Sequence, residues 1–213
     1  MLTAIDDDVA RYPADETLDV FLGDYIDRGP ASRQVIDLLI ERGSTRKAIF
    51  LRGNHETYVP QFFEDPAVLR NWRVLGGLET LRSYGLVPSF NANPDEQCQL
   101  ADRFAATLPQ SHVLFFAALR SSFCCGDFFF VHAGVRPGIP LEQQREQDLL
   151  WIRNEFLLHE GSFGKIIVHG HLPVQEPEFR HNRINIDTGA YATGKLTCLI
   201  IEHDQLALLN VNR

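Results

Sequence analysis

The chain has 213 residues, 45% hydrophobic and 23% charged, which are the values of a globular protein long enough to bury a core. Its 20 Lys and Arg against 28 Asp and Glu leave a net charge of −8. The composition excludes disordered, collagen-like and coiled-coil classes, and the acidic balance excludes a general nucleic-acid binder, which needs a basic face.

The opening MLTAIDDDVARYPADE carries three consecutive acids and lacks the basic-then-apolar order of a signal peptide. The most apolar run, residues 113–119, is far short of the ~20 residues of a membrane span. Cys98, Cys124, Cys125 and Cys198 form no C-x-x-C pair, so they read as reduced, mostly buried small hydrophobes. The expected setting is cytoplasmic, with no membrane partner.

Leu2, Ile5 and Val9 recur at helical spacing before Pro13, placing a helix at the N-terminus. Residues 17–22 predict a buried strand, and Pro30 starts a helix that runs to Gly43. Residues 47–51 predict a second strand. The stretch 57–119 is helical and irregular, with helices at 78–84 and 97–108, a loop at 91–94, and the standing of a cap segment. Strands then dominate: 121–125, 128–131, 165–168, 184–186, 195–202 and 205–211, with hairpin turns at Asp127 and at His203-Asp204. With no repeat or linker, residues 1–213 read as one domain of layered α/β architecture, with central β-sheets flanked by helices.

Four strands run into polar, metal-capable loops. These are Gly23-Asp24-Tyr25-Ile26-Asp27-Arg28-Gly29, Gly53-Asn54-His55-Glu56, His132-Ala133-Gly134 and His169-Gly170-His171. In α/β folds, ligands collect beyond the carboxyl ends of strands. Mixed carboxylate, amide and imidazole donors suit Mn²⁺, Fe²⁺ or Zn²⁺ better than Ca²⁺ or a cysteine-rich zinc site. Arg28, Arg52 and Arg153 supply planar donors that match phosphate oxygens. Metal, arginine clamps and a spare histidine are together the requirements of phosphoester hydrolysis.

The paired motifs Gly23-Asp24-x-x-Asp27-Arg28-Gly29 and Gly53-Asn54-His55-Glu56 resemble signatures of the phosphoprotein phosphatase family, within the calcineurin-like metallophosphoesterases. His132-Ala133-Gly134, Trp151-Ile152-Arg153, Gly170-His171 and Ile186-Asp187-Thr188-Gly189 follow in the family's order. The bacterial Ser/Thr protein phosphatase and symmetrical diadenosine tetraphosphatase branch is the most similar. The resemblance implies an enzyme with two divalent metal ions, Mn²⁺ first and Fe²⁺, Zn²⁺ or Co²⁺ as alternatives. Asp24, Asn54, His132 and His171 would be metal ligands. His55, oriented by Asp27, would be the general acid, and Arg28, Arg153 and Asn54 would hold substrate phosphate. A metal-bridging hydroxide would attack phosphorus. The expected substrate is a phosphorylated protein or, alternatively, a dinucleoside polyphosphate.

Around these, His169 reads as a packing or supporting residue, Asp187 as a structural turn, and Tyr25 and Glu56 as residues that orient backbone and ligands. Arg52 divides between a phosphate contact and a structural ion pair. His112, His159, His181 and His203 read as surface or core histidines. Arg70, Arg73 and Arg82, with Phe62, Phe63 and Trp72, offer either a nucleotide grip or core packing, and the aromatics are read as packing. The family's opening strand and its Gly-Asp-x-His-Gly loop do not occur here. A set-back start is the favoured explanation, and a truncated, weakly active or regulatory relative is the alternative. Either way one metal site is expected to be fully liganded.

Overall fold

A computed structural model describes residues 1–212. The first half contains α1 (Leu2–Arg11), β1 (Asp19–Phe21), α2 (Ser32–Thr45), β2 (Ala48–Phe50), α3 (Tyr58–Glu64), α4 (Leu69–Trp72), α5 (Gly77–Ser83), α6 (Pro94–Thr107) and α7 (Gln110–Ala118). The second half contains β3 (Ser122–Cys125), β4 (Phe128–Val131), α8 (Glu146–Trp151), α9 (Asn154–Leu157), β5 (Ile166–His169), β6 (Glu178–Phe179), β7 (Arg183–Asn185), α10 (Ala190–Thr193), β8 (Lys195–Glu202) and β9 (Gln205–Asn212). These elements gather into two compact units: residues 19–120, and the remainder of the described chain. Both mix strands with helices, as the α/β reading expects. Among the described residues no helix is long and apolar enough to cross a membrane.

In the 19–120 unit, β1 and β2 are parallel, in register from Asp19 with Ala48 to Phe21 with Phe50, and α2 is the crossover between them. Leu51 then pairs with Arg120. All three residues of β1 are half-buried rather than buried as expected, because their sheet has only two strands and leaves surface uncovered. Helix α2 begins two residues after Pro30 and passes through Gly43 instead of stopping there. A Cβ at Gly43 would lie 3.0 Å from the Phe50 ring, so glycine lets the helix rest on β2 at that point. Arg42 buries its guanidinium on the same helix and bonds Asp19 at 2.6 Å, tying α2 to β1.

The core of this unit is aromatic. Trp72, Phe62, Phe104 and Tyr84 are all buried, with Phe62–Trp72 and Tyr84–Phe104 ring centroids 5.5 and 5.3 Å apart. Helix α6 starts earlier than its apolar spacing indicates, because Asn93 and Glu96 form a capping box around Pro94 at the first helical position. Buried His112 of α7 spans Tyr84 Oη, 2.7 Å from its Nδ1, and Asp37 of α2, 2.9 Å from its Nε2. Burial pushes the Tyr84 hydroxyl well above its ordinary range, so it stays a neutral partner.

The other unit holds a five-stranded sheet in the order β3-β4-β5-β7-β6, with β4-β5-β7 parallel and the outer pairs antiparallel, and a separate β8-β9 hairpin. Val131, Ile167, Phe156 and Val135 form its core. Arg136 forks onto Asp148, with Nε at 2.9 Å from Oδ2 and Nη2 at 2.5 Å from Oδ1. The cysteine expectation is corrected here: Cys98, Cys124 and Cys125 are exposed and Cys198 half-buried. Cys124 and Cys125 end the edge strand β3, and Cys98 lies on the solvent side of α6.

Removing the Tyr84 hydroxyl strands a fully buried imidazole nitrogen. Tyr84→Phe is expected to destabilise the protein by about 1–3 kcal/mol in urea unfolding. In the other unit, the hydrogen-bonded Arg136 guanidinium holds the Asp148 carboxyl below the usual carboxylate range, and Arg183 does the same for Glu178. A depressed carboxylate pKa gives stability that is present above the unfolded pKa, ~4, and lost as pH falls through the folded value. The melting temperature should therefore drop below about pH 4, and Arg136→Ala should flatten that drop.

Candidate metal and phosphate site

Parallel pairing sends neighbouring strands out of the sheet at the same end, so the loops that follow them emerge side by side. In the 19–120 unit these loops are Gly23-Asp24 after β1 and Gly53-Asn54-His55 after β2. A Cβ on Gly23, whose φ is +97°, would strike the Gly53 backbone. A Cβ on Gly53 would strike the Asp24 backbone and carboxylate. The contact between the loops is possible only for two glycines.

Glu56 closes this arrangement. Its buried carboxylate accepts N–H bonds from Gly53 at 2.7 Å, Asp24 at 2.9 Å and Tyr25 at 2.7 Å. Burial and the Asp24 charge push Glu56 up to about 7, and the N–H bonds oppose them by favouring the ionised form. Tyr25 donates its hydroxyl to the carbonyls of Phe21, at 3.1 Å, and Leu51, at 2.7 Å, bridging the ends of both strands. Burial first, then the Glu56 charge, holds that phenol well above its ordinary value.

His55 and Asp27 form a buried pair, with Nδ1 2.6 Å from Oδ2. The same carboxylate accepts Trp72 Nε1–H at 2.9 Å and Thr80 Oγ1–H at 2.5 Å. The Asp27 N–H in turn bonds Ser32 Oγ at 3.1 Å and Thr80 Oγ1 at 2.9 Å. Because Asp27 acts as acceptor, His55 Nδ1 is the donor, and Nε2 is left to gain or lose a proton. Burial pulls the imidazole pKa down, but the Asp27 bond and the Asp24 charge, whose Oδ2 lies 3.9 Å from Nε2, outweigh it and raise it. Asn54 is buried at the start of the turn that carries His55. Arg28 is exposed. Its N–H is bonded by Gly76 O at 3.3 Å.

In the other unit the same rule operates on β4 and β5. His132 follows β4 and His171 lies just beyond β5, and the two rings meet with His132 Nε2 3.2 Å from His171 Nδ1. Two imidazole nitrogens each ~2.1 Å from one ion, at an angle of about 100°, are also ~3.2 Å apart, so this pair fits a shared divalent metal. Trp151 stands edge-on to His171 at 6.1 Å. His169 is fully buried against Phe156, and burial takes it down to about 3, so it packs as a neutral ring. Asp187 Oδ1 accepts the Gly189 N–H at 2.9 Å, which holds the turn after β7. Arg153 occupies the residue before α9, and its side chain is exposed.

Asp24, Asp27, Arg28 and His171 have φ of 59°, 74°, 61° and 68°. The fifth non-glycine with positive φ among the described residues is His203, in the β8-β9 turn. Such backbone costs of order 1 kcal/mol or more per residue and persists where surrounding contacts enforce it. Four of the sequence-predicted residues thus carry this backbone, while Asn54, His55, His132 and Arg153 do not. Trp72, Thr80 and Ser32 were missed as partners of Asp27. Only the indole N–H of a tryptophan otherwise read as packing offered a signal.

Strand ends carrying carboxylate, amide and imidazole donors, with arginines beside them, define a metallophosphoesterase. The profile of the calcineurin-like phosphoesterases matches residues 2–198, and the chain belongs to that family, whose members use divalent metals. It is 30% identical over 209 residues to the asymmetrical bis(5'-nucleosyl)-tetraphosphatase PrpE of Anoxybacillus flavithermus, covering 91% of this chain and 79% of that one. The PrpE enzyme of Bacillus thuringiensis is 29% identical over 195 residues, covering 84% and 73%. A crystal structure provisionally described as a diadenosine tetraphosphatase superposes with a TM-score of 0.62 at 17% identity, over 97% of this chain and 86% of that one, which shows a shared fold. The chain is a hydrolase of this family.

Gly53→Ala is expected to force the Asp24 and His55 loops apart. Phosphoesterase activity should fall at least tenfold and stability by about 1–3 kcal/mol, read by a hydrolysis assay and thermal unfolding.

Proposed function

We propose that the protein hydrolyses dinucleoside polyphosphates, and that Asp24, Asn54, His132 and His171 supply the ligands of one divalent ion, Mn²⁺ first. The observation that carries the substrate class is the similarity to asymmetrical bis(5'-nucleosyl)-tetraphosphatases over nearly the whole chain. That similarity favours a nucleotide over the phosphoprotein substrate, with which the same chemistry is compatible.

When bound, the metal supplies charge neutralisation at phosphoryl oxygens and lowers the pKa of water in its shell. Arg28 and Arg153 offer planar donors to the phosphate oxygens. His55 Nε2 delivers a proton to the departing oxygen, while Asp27 fixes the ring through Nδ1 and keeps it able to carry charge. Trp72 and Thr80 keep the Asp27 carboxylate aimed. Buried neutral His169 gives the strand beneath His171 a packed, uncharged support.

Three measurements test this. The purified chain should bind close to one equivalent of Mn²⁺, and two tightly bound equivalents would refute the single-site assignment. Diadenosine tetraphosphate should be turned over with higher kcat/KM than a phosphothreonine peptide, giving ATP and AMP if cleavage is asymmetrical and two ADP if it is symmetrical. The reverse preference would overturn the nucleotide reading. His55→Asn should lower kcat by about 10²–10⁴-fold, with KM little changed and with some loss of melting temperature because the buried Asp27 carboxylate loses a partner.

A further inference from the structure

One cavity in the 19–120 unit has no part in the chemistry above. It measures about 190 Å³ and is lined by Arg70, Arg73, Phe90, Asn91 and Gln97, among others. Phe90 is 64% exposed, on the loop before α6, in a protein whose other aromatic side chains from this segment are mostly core. Arg73 lies over one face of the Phe90 ring, 4.8 Å from its centroid, and bonds the Phe90 carbonyl. Its Nε–H is shielded from solvent and has no acceptor among the described residues. Gln97 donates its amide N–H to the Ala92 carbonyl at 2.8 Å, which steadies the side chain and leaves its oxygen as an acceptor. The side chains of Arg70 and Asn91 are exposed at the same place.

The position is as informative as the lining. Helix α4 supplies Arg70 to the cavity and Trp72 to the Asp27 carboxylate, and Arg73 follows at once. The turn begun by Arg73 ends at Gly76, whose φ is +98° and whose carbonyl bonds the Arg28 N–H. A Cβ at Gly76 would strike the Arg28 backbone, so this turn is fitted against the phosphate-binding residue. The cavity therefore lies one short turn from the acid pair and from Arg28.

We infer that the cavity lined by Arg73, Phe90, Asn91 and Gln97 is a subsite for a purine ring of the substrate, with Arg70 facing its phosphate side. This rests on the nucleotide reading above. At about 190 Å³ it is smaller than the ~300–1,000 Å³ that encloses a whole small molecule, which matches one planar ring with its sugar and phosphates outside. An exposed aromatic face is a stacking platform for any base, and amide side chains pair with the edge of adenine. A phosphopeptide has no use for an aromatic platform flanked by amides.

The test is equilibrium binding to the full chain, which does not need turnover. The non-hydrolysable probe adenylyl methylenediphosphonate is compared with methylenediphosphonate by titration calorimetry. The adenosine-bearing probe should bind at least about tenfold more tightly, and Phe90→Ala, at an exposed loop position, should remove most of that advantage while leaving methylenediphosphonate binding unchanged. Asn91→Ala should reduce the advantage less. Equal affinity for the two probes, absence of binding by the adenosine probe, an unaltered advantage in Phe90→Ala, or stronger competition by a phosphothreonine peptide would each overturn the subsite. Retained adenosine selectivity without diadenosine tetraphosphate hydrolysis would count against the hydrolytic reading alone.

Discussion

The buried carboxylate of Glu56 is the interaction on which the first half of the site depends. Three backbone N–H groups, from Gly53, Asp24 and Tyr25, converge on it, and they belong to the two loops that leave β1 and β2. A carboxylate taken out of water costs several kcal/mol unless its charge is met, and here three backbone N–H groups offset part of that cost. Once that bond set forms, Asp24 is held in a left-handed conformation and Asn54 and His55 are delivered beside it. Glycines at 23 and 53 are the condition for the approach; no side chain fits between the loops.

A second, separate hierarchy surrounds Asp27. Its carboxylate bonds His55, Trp72 and Thr80, so an acid pair is set into an aromatic core rather than into a flexible loop. Trp72 packs against Phe62 and Phe104 while its indole N–H reaches Asp27, so hydrophobic packing is what fixes the acid's orientation. In the other unit, parallel β4 and β5 bring His132 and His171 together without help from a core aromatic of that kind. Both halves use the same device, a pair of parallel strands with polar residues just past their ends.

The polar strand ends were legible because they interrupt apolar runs at defined spacing, and four of the residues read there turn out to carry strained backbone. The long strands β8 and β9 and the helices α2, α5 and α6 were legible from periodicity. The four-residue helices α4, α9 and α10 were not, since so short a segment has no period to read. Trp72 shows a different limit. One side chain serves packing and hydrogen bonding at once, and sequence displays only the first. Cys98, Cys124 and Cys125, read as buried, proved exposed because an edge strand and an outward helix face accept small side chains as readily as a core does.

The 19–120 segment also has a property of its own as a piece of chain. It enters at Asp19, which pairs with Ala48, and leaves at Arg120, which pairs with Leu51, so both ends attach to β2 and its immediate continuation. Two strand spacings of ~4.8 Å and a short offset along the strand separate entry from exit. A segment whose ends lie that close can be acquired, lost or replaced in evolution as a single cassette, because its removal leaves a gap that a few residues span. The His55–Asp27 pair and the cavity beside Phe90 would travel together on such a cassette, while the paired imidazoles stay behind in the remainder of the chain.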